Sequence, residues 1–321
     1  MIVTFIPYIE IPEWAAERSY LKFKTLYEPS AIASARNGAL VVVEDETESP
    51  IHILNPADGL TSFIETPIST RKMFDRDGKH ANFRKLGDLE GLDVDNEGTF
   101  YAVTSHTRSK KGRSPNREKL IRFRVEGQRI TNPSVYGGLR DGLTAKYPVL
   151  RIAADVADVK NRNGFNIEGL SFNRDKKRML IGFRGPVIDG KAMIVELENL
   201  SDIFEKNSAP QFGDDPIYLE LGGQGIRGMK YDSRLDGYLI ISGPVKKVSE
   251  PFCLWFWSGD PSMNPKRVSV DGVKDFERAE GITQVNLDGQ ELVMIVYDDG
   301  NREQKKPGSF LVFSYDDLQI G

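Results

Sequence analysis

The sequence predicts an all-β fold, a β-propeller of five blades with four antiparallel strands each, closed by an N-terminal strand. Three observations carry this. A short motif recurs as Leu89-Glu90-Gly91-Leu92, Ile167-Glu168-Gly169-Leu170, Ile226-Arg227-Gly228-Met229 and Ala279-Glu280-Gly281-Ile282, with a degenerate first copy at Ser30-Ala31-Ile32-Ala33 that lacks the acidic residue and the glycine. Taking Ser30, Glu90, Glu168, Arg227 and Glu280 as equivalent, the units start 60, 78, 59 and 53 residues apart, periods that suit four-stranded blades better than the shorter, more uniform repeats of a solenoid. Each unit also carries short apolar runs separated by turn dipeptides such as Asn37-Gly38, Ser49-Pro50 and Asp58-Gly59.

In chain order, residues 1–19 are mixed and give no assignment. Tyr20 to Leu26 alternates apolar and polar residues with period two, the pattern of a half-buried strand. The first unit predicts strands at 31–33, 39–43, 51–54 and 61–64, and residues 68–88 read as a charged connecting loop containing His80. Strands follow at 92–94, 100–104, 120–125 and 129–131, with a basic insert at 107–117 that reads as a solvated loop and an excursion at 139–154 that predicts a short helix. The third unit predicts strands at 170–172, 179–183, 192–197 and 217–221, and the fourth at 229–231, 238–242, 252–257 and 267–270. The fifth has only three of its own, at 282–285, 292–297 and 309–314, so the strand at 20–26 is expected to complete it and remove an exposed edge. Five units are visible, and a sixth blade has room only in residues 1–28 or in the long second unit.

One domain spanning 1–321 accommodates this repeat. The formal net charge of −4 gives no general pull toward nucleic acid or an anionic membrane, so anion binding would have to be local. Cys253 is the single cysteine, which excludes an intrachain disulfide and leaves a small buried hydrophobe as its expected role. The N-terminus has no basic n-region and is broken by Pro7, Glu10 and Pro12, and no apolar run reaches the roughly 18 residues that span a bilayer. A cytoplasmic location is expected, or a periplasmic one if a signal peptide has been removed. There is no GxSxG elbow, P-loop or GxGxxG, and Gly222-Gly223-Gln224-Gly225 precedes a strand and reads as a turn.

The glycine of the motif fits the crowded inner strand of a blade, where neighbouring backbones approach one another. Side chains alternate along a strand, so Glu90 is expected to share a face with Leu92, placing Glu90, Glu168 and Glu280 in a ring at the channel mouth. Converging carboxylates repel, and Arg227, at the same repeat position, is the internal counter-charge. Two readings follow: a structural plug of Glu90, Glu168, Glu280 and Arg227, or a site for a hard divalent ion, Ca2+ or Mg2+, on the three glutamates. The ends of the second strands add a further ring: Glu44, Asp45 and Glu46, then Ser105, His106 and Arg108, then Arg184, Ser242, Asp298 and Asp299. There His106 is a candidate acid or base, and Arg184 and Arg227 are candidates to face an anionic ligand.

These units, with Thr104-Ser105-His106, Gly182-Phe183-Arg184-Gly185-Pro186, Ser242-Gly243-Pro244 and Tyr297-Asp298-Asp299-Gly300, resemble a bacterial family catalogued as domain of unknown function 3616, over nearly the whole chain from Ser30 onward. That resemblance implies a propeller and no settled activity. More distantly, Glu-Gly-Leu at a blade start is similar to the esterase-like phytase and lactonase propellers, whose Glu-Gly-Pro glutamate ligates a divalent metal. By that resemblance Glu90, Glu168 or Glu280 is the matching ligand, although no Glu-Gly-Pro is present and the Asn and Asp ligands of the lactonases match no particular position. The expected function is metal-assisted hydrolysis of a small anionic ester, of esterase, phosphoesterase or lactonase type, with His106 handling protons. The alternative is a non-catalytic propeller that binds a ligand or protein on its rim through the basic insert.

Overall fold

A computed structural model describes residues 20–45, 49–57, 62–68, 86–109, 111–157, 159, 161–246 and 250–321. After β1 (Leu21–Lys22), blade 1 is β2 (Pro29–Ser34), β3 (Leu40–Glu44), β4 (Ile51–Pro56) and β5 (Phe63–Ile68). Blade 2 is β6 (Leu89–Val94), β7 (Thr99–Thr104), β8 (Leu120–Glu126) and β9 (Arg129–Tyr136). Two short helices, α1 (Leu139–Lys146) and α2 (Pro148–Ala154), occupy the excursion where one was expected. Blade 3 is β10 (Asn166–Phe172), β11 (Met179–Gly185), β12 (Ala192–Leu197) and, beyond α3 (Leu200–Lys206), β13 (Ile217–Leu219). Blade 4 holds β14 (Gly225–Asp232), β15 (Gly237–Gly243), β16 (Cys253–Trp257) and β17 (Lys266–Val270). Blade 5 holds β18 (Ala279–Leu287), β19 (Gln290–Tyr297) and β20 (Ser309–Ser314), and the last strand is β21 (Leu318–Ile320).

The chain closes as expected, with β1 pairing antiparallel to β20 as the fourth strand of blade 5. The pairing is shorter than the alternating pattern at 20–26 predicts. The Glu65 carboxylate on β5 accepts hydrogen bonds from the amides of Lys24 (2.6 Å), Thr25 (2.5 Å) and Leu26 (3.2 Å), drawing that backbone out of the ladder. At the other end, a Ser314 capping box turns the chain back and β21 adds a fifth strand to blade 4, Val268 opposite Ile320. β1 and β21 therefore each cover a sheet edge. Among the described residues no helix is long and apolar enough to cross a membrane.

The first two strands of every blade share one irregularity. Register breaks between Pro29 and Ala31, Leu89 and Gly91, Ile167 and Gly169, Ile226 and Gly228, and Ala279 and Gly281. Ser30, Glu90, Glu168, Arg227 and Glu280 are thus each the extra residue of a β-bulge. The bulge corrects the expectation that Glu90 shares a face with Leu92. An inserted residue shifts the alternation by one, so Leu89, Leu92 and Val94 meet in one apolar cluster and Ile167, Leu170 and Phe172 in another.

Glycine follows the bulged residue because the next blade leaves no room for a side chain. A Cβ at Gly91 would stand 2.8 Å from Leu170 Cβ, one at Gly169 would stand 2.8 Å from Ile226 Cγ2, and one at Gly281 would stand 2.9 Å from Ala31 Cα. At Gly228 it would overlap the Glu280 carbonyl oxygen, which is backbone and cannot swing aside. Gly228→Ala is therefore expected to lose about 3 kcal/mol or more of stability through overpacking, while Gly137→Ala, whose Cβ meets nothing nearer than 3.8 Å, stays within about 1 kcal/mol. Urea denaturation of both variants measures the contrast.

Candidate functional site

The bulged side chains meet at one mouth of the channel. Arg227 pairs with Glu168 of the preceding blade (Nη1 to Oε2, 2.9 Å), and its Nη2 donates to Oε1 of Glu280 in the following blade. All three are buried. Arg184, near the end of β11, reaches Glu168 Oε1 at 3.2 Å, and Asn166 Nδ2 donates to the same oxygen at 2.7 Å. Phe252 lies 5.4 Å beneath the Arg227 guanidinium. Burial lowers the Arg227 pKa, with Glu168 opposing it, yet a guanidinium remains charged at any ordinary pH. The counter-charge expected from the sequence is thus in contact with two of the three glutamates.

Glu90 differs from them. No hydrogen bond or ion pair joins its carboxylate to another described residue. It nevertheless belongs to two acidic groups, one with Glu168 and Glu280 and one with Asp45 and Asp88, in each of which the oxygens lie within 4.8 Å of one another. Burial, followed by the charges of Glu168, Asp88 and Asp45, pushes the Glu90 carboxyl well above the usual range. Between the inner strands lies a very small cavity lined in part by Gly91, Glu168, Gly228 and Glu280, with Glu90 outside its lining.

The donor set suits a hard cation. Every candidate ligand atom is a carboxylate oxygen, and the only partner of the buried Glu168 Oε2 among the described residues is the Arg227 guanidinium at 2.9 Å. Arg227 already takes one side of Glu168 and Glu280, so a divalent ion would sit on the Glu90 side of the ring. Asp88, given no role by the sequence reading, has a positive φ of 64° and is fixed by Ser105 Oγ, Thr107 Oγ1 (2.9 Å) and Arg117 (3.1 Å).

His106 stands apart from this ring. Its ring is fully buried, Nδ1 lies 2.7 Å from the Thr104 carbonyl, Arg140 Nη1 donates to the His106 carbonyl, and Nε2 is buried without a hydrogen bond. Burial lowers its pKa to about 4, so it is neutral at physiological pH. His52 pairs instead with the buried Glu44 at 2.8 Å, and His80, Glu46 and Lys110 lie outside the described residues. The basic insert is held down by ion pairs of Arg113 with Glu118 (2.5 Å) and Asp141 (2.8 Å) and of Arg117 with Asp88, while Arg108 donates to the Asp155 carbonyl at 3.1 Å. Its described arginines are engaged with the protein.

Removing Arg227 leaves two buried carboxylates without their shared cation. Arg227→Met is expected to cost about 3–5 kcal/mol in urea denaturation, and Arg184→Met about 1 kcal/mol, because Glu168 then keeps Arg227.

No curated protein matches the chain significantly. Among solved structures, a putative oxidoreductase (glucose dehydrogenase) from Thermus thermophilus is 11% identical, with 92% of this chain and 100% of that one covered at a TM-score of 0.47. The PQQ-bound aldose sugar dehydrogenase of Streptomyces coelicolor is 11% identical over 95% and 98%, also at 0.47. A calcium structure of a carbohydrate-active enzyme of family AA12 from Trichoderma reesei is 9% identical over 92% and 95%, at 0.46. Likenesses this distant say nothing about chemistry here. Blades 3 and 4 and most of blade 5 are a narrower span than the sequence resemblance from Ser30 onward, and it is there, over residues 156–313, that the chain matches the family described as protein of unknown function (DUF3616).

Proposed function

We propose that the channel mouth binds one divalent cation, Ca2+ or Mg2+, through Glu90, Glu168 and Glu280, and that the protein hydrolyses a small anionic ester there. The observation that carries this reading is the isolation of Glu90. Its carboxylate is enclosed by four others and has no cation of its own among the described residues. A carboxyl raised in this way holds a proton or exchanges it for a metal ion. When bound, the ion supplies Lewis-acid polarisation of an ester oxygen. Arg227 and Arg184 hold Glu168 in place and keep positive charge beside the mouth, where an anionic substrate group would arrive. This reading gives His106 no proton-transfer part, because its ring is buried and neutral.

A second reading is a non-catalytic, ligand- or protein-binding propeller in which Glu168, Arg227 and Glu280 form a structural plug. The engagement of one guanidinium with both glutamates favours it.

Titration of Glu90 separates the two. Its folded pKa lies above the unfolded value of about 4.3, so without metal the native state loses stability as pH rises from that value through the folded pKa, and none below it. In metal-free buffer Glu90→Gln is expected to raise the unfolding midpoint at pH 8 and to leave it unchanged at pH 4. Added Ca2+ or Mg2+ is expected to stabilise the wild type, to spare Glu90→Gln, and to support hydrolysis of phosphate or carboxylate esters that Glu90→Gln with Glu168→Gln abolishes. A wild type that takes up no stoichiometric ion, with hydrolysis indifferent to both substitutions, leaves the plug alone standing.

A further inference from the structure

Three residues beyond each bulge, the inner strands carry Ala33, Asp93, Ser171, Lys230 and Thr283, all buried. Asp93 is fully buried, accepts hydrogen bonds from the amides of Val94 and Phe172 (both 2.6 Å), and pairs with Lys230 Nζ from blade 4. Lys176, on the β10–β11 hairpin, places its Nζ 3.8 Å from the same carboxylate. Two lysines thus share one aspartate. Their side chains are only 8% (Lys230) and 19% (Lys176) exposed, so one positive charge remains in poorly solvated surroundings. The other contacts of Lys176 Nζ, the Val94 carbonyl at 3.3 Å and the Phe172 ring at 5.3 Å, favour a cation without neutralising it. Burial lowers the Lys176 pKa accordingly.

This surplus faces a cavity of about 260 Å³ to which all five blades contribute. Its charged lining is Arg36, Arg174, Lys176 and Lys230 against Asp95 and Asp175. Asp175 has its own cation in Lys177 (3.6 Å), while Asp95, which accepts from the amides of Glu97 and Thr99, is a second negative charge acting on Lys176, so the basic excess over Asp93 and Asp95 lies with Arg36 and the two lysines together. Arg174 pairs with Asp236 at 3.0 Å, whereas no hydrogen bond or ion pair joins Arg36 to another described residue. We propose that this second opening is a binding site for a small multiply charged oxyanion, phosphate or a phosphomonoester, held by Lys176, Lys230 and Arg36. It is independent of the carboxylate mouth. An anion there would add to the counter-charge that Asp93 gives the two lysines and give Arg36 a partner.

Isothermal titration of the full chain at low ionic strength with inorganic phosphate, glucose 6-phosphate and citrate tests this. Saturable one-to-one binding of phosphate is expected, weakened at least tenfold in Lys176→Asn and in Arg36→Gln and falling with added chloride. Asparagine suits the left-handed backbone at position 176 (φ 59°) while removing the charge, so the variant is expected to fold. Tighter glucose 6-phosphate than phosphate identifies a phosphomonoester as the occupant, and equal or weaker binding identifies the free ion. Wild type that binds neither phosphate compound, Lys176→Asn that binds as tightly as wild type, or citrate bound in preference to both overturns the proposal.

Discussion

Crowding at the axis imposes two opposite demands on adjacent residues of each inner strand. In four blades one residue must carry no side chain, because the next blade lies against it, most tightly where Gly228 meets the Glu280 carbonyl. The residue before it must leave the ladder altogether. A β-bulge satisfies both demands at once, and it occurs at the same step in all five blades. Its effect on chemistry follows from parity. The inter-blade core uses the residues on either side, such as Leu89 and Leu92, so the bulged position is free to be serine, glutamate or arginine without disturbing that core.

Blade 4 supplies the cations that tie the ring across its channel. Arg227 and Lys230 lie three residues apart on β14, and each meets carboxylates from other blades: Glu168 and Glu280 at one end, Asp93 of blade 2 at the other. Lys230 reaches past blade 3 to do so. The channel consequently has two unlike ends. At the first, Glu90 lies beside Asp45 and Asp88, the latter paired with Arg117; at the second, Lys176 and Lys230 share Asp93 beside Arg36.

Blade number, strand rhythm and closure by the N-terminal strand were legible because they depend on local alternation, turn dipeptides and a repeat period. The convergence of Glu168, Arg227 and Glu280 was legible for the same reason, since equivalent positions of a closed repeat must face a common axis. The bulge was not, because it is an irregularity of pairing and leaves no mark in composition; without it, alternation assigns Glu90 to the face of Leu92. The retreat of Lys24 to Leu26 toward Glu65 depends on a contact 40 residues away. His106 stands at a strand end that reads as rim, and only its positive φ of 56° and its burial show otherwise. Asp93 and Lys230 left a signal that pattern reading passes over, being equivalent by position three residues after the bulge.

The order of residues around the mouth explains why one carboxylate is left over. Read blade by blade the ring is Ser30, Glu90, Glu168, Arg227 and Glu280, closing back on Ser30. A guanidinium has a planar fork that serves two carboxylates, and Arg227 serves its two neighbours in the ring. Glu90 has Ser30 on one side and Glu168 on the other, so no cation of the ring stands next to it. A ring built only to lock the blades would be complete with a neutral residue at position 90, and a carboxylate there adds repulsion from Glu168, Asp88 and Asp45. Three glutamates and one arginine give the ring a formal charge of −2, Arg184 beside Glu168 offsets one of these, and the carboxyl left over is Glu90, the one whose pKa is pushed up.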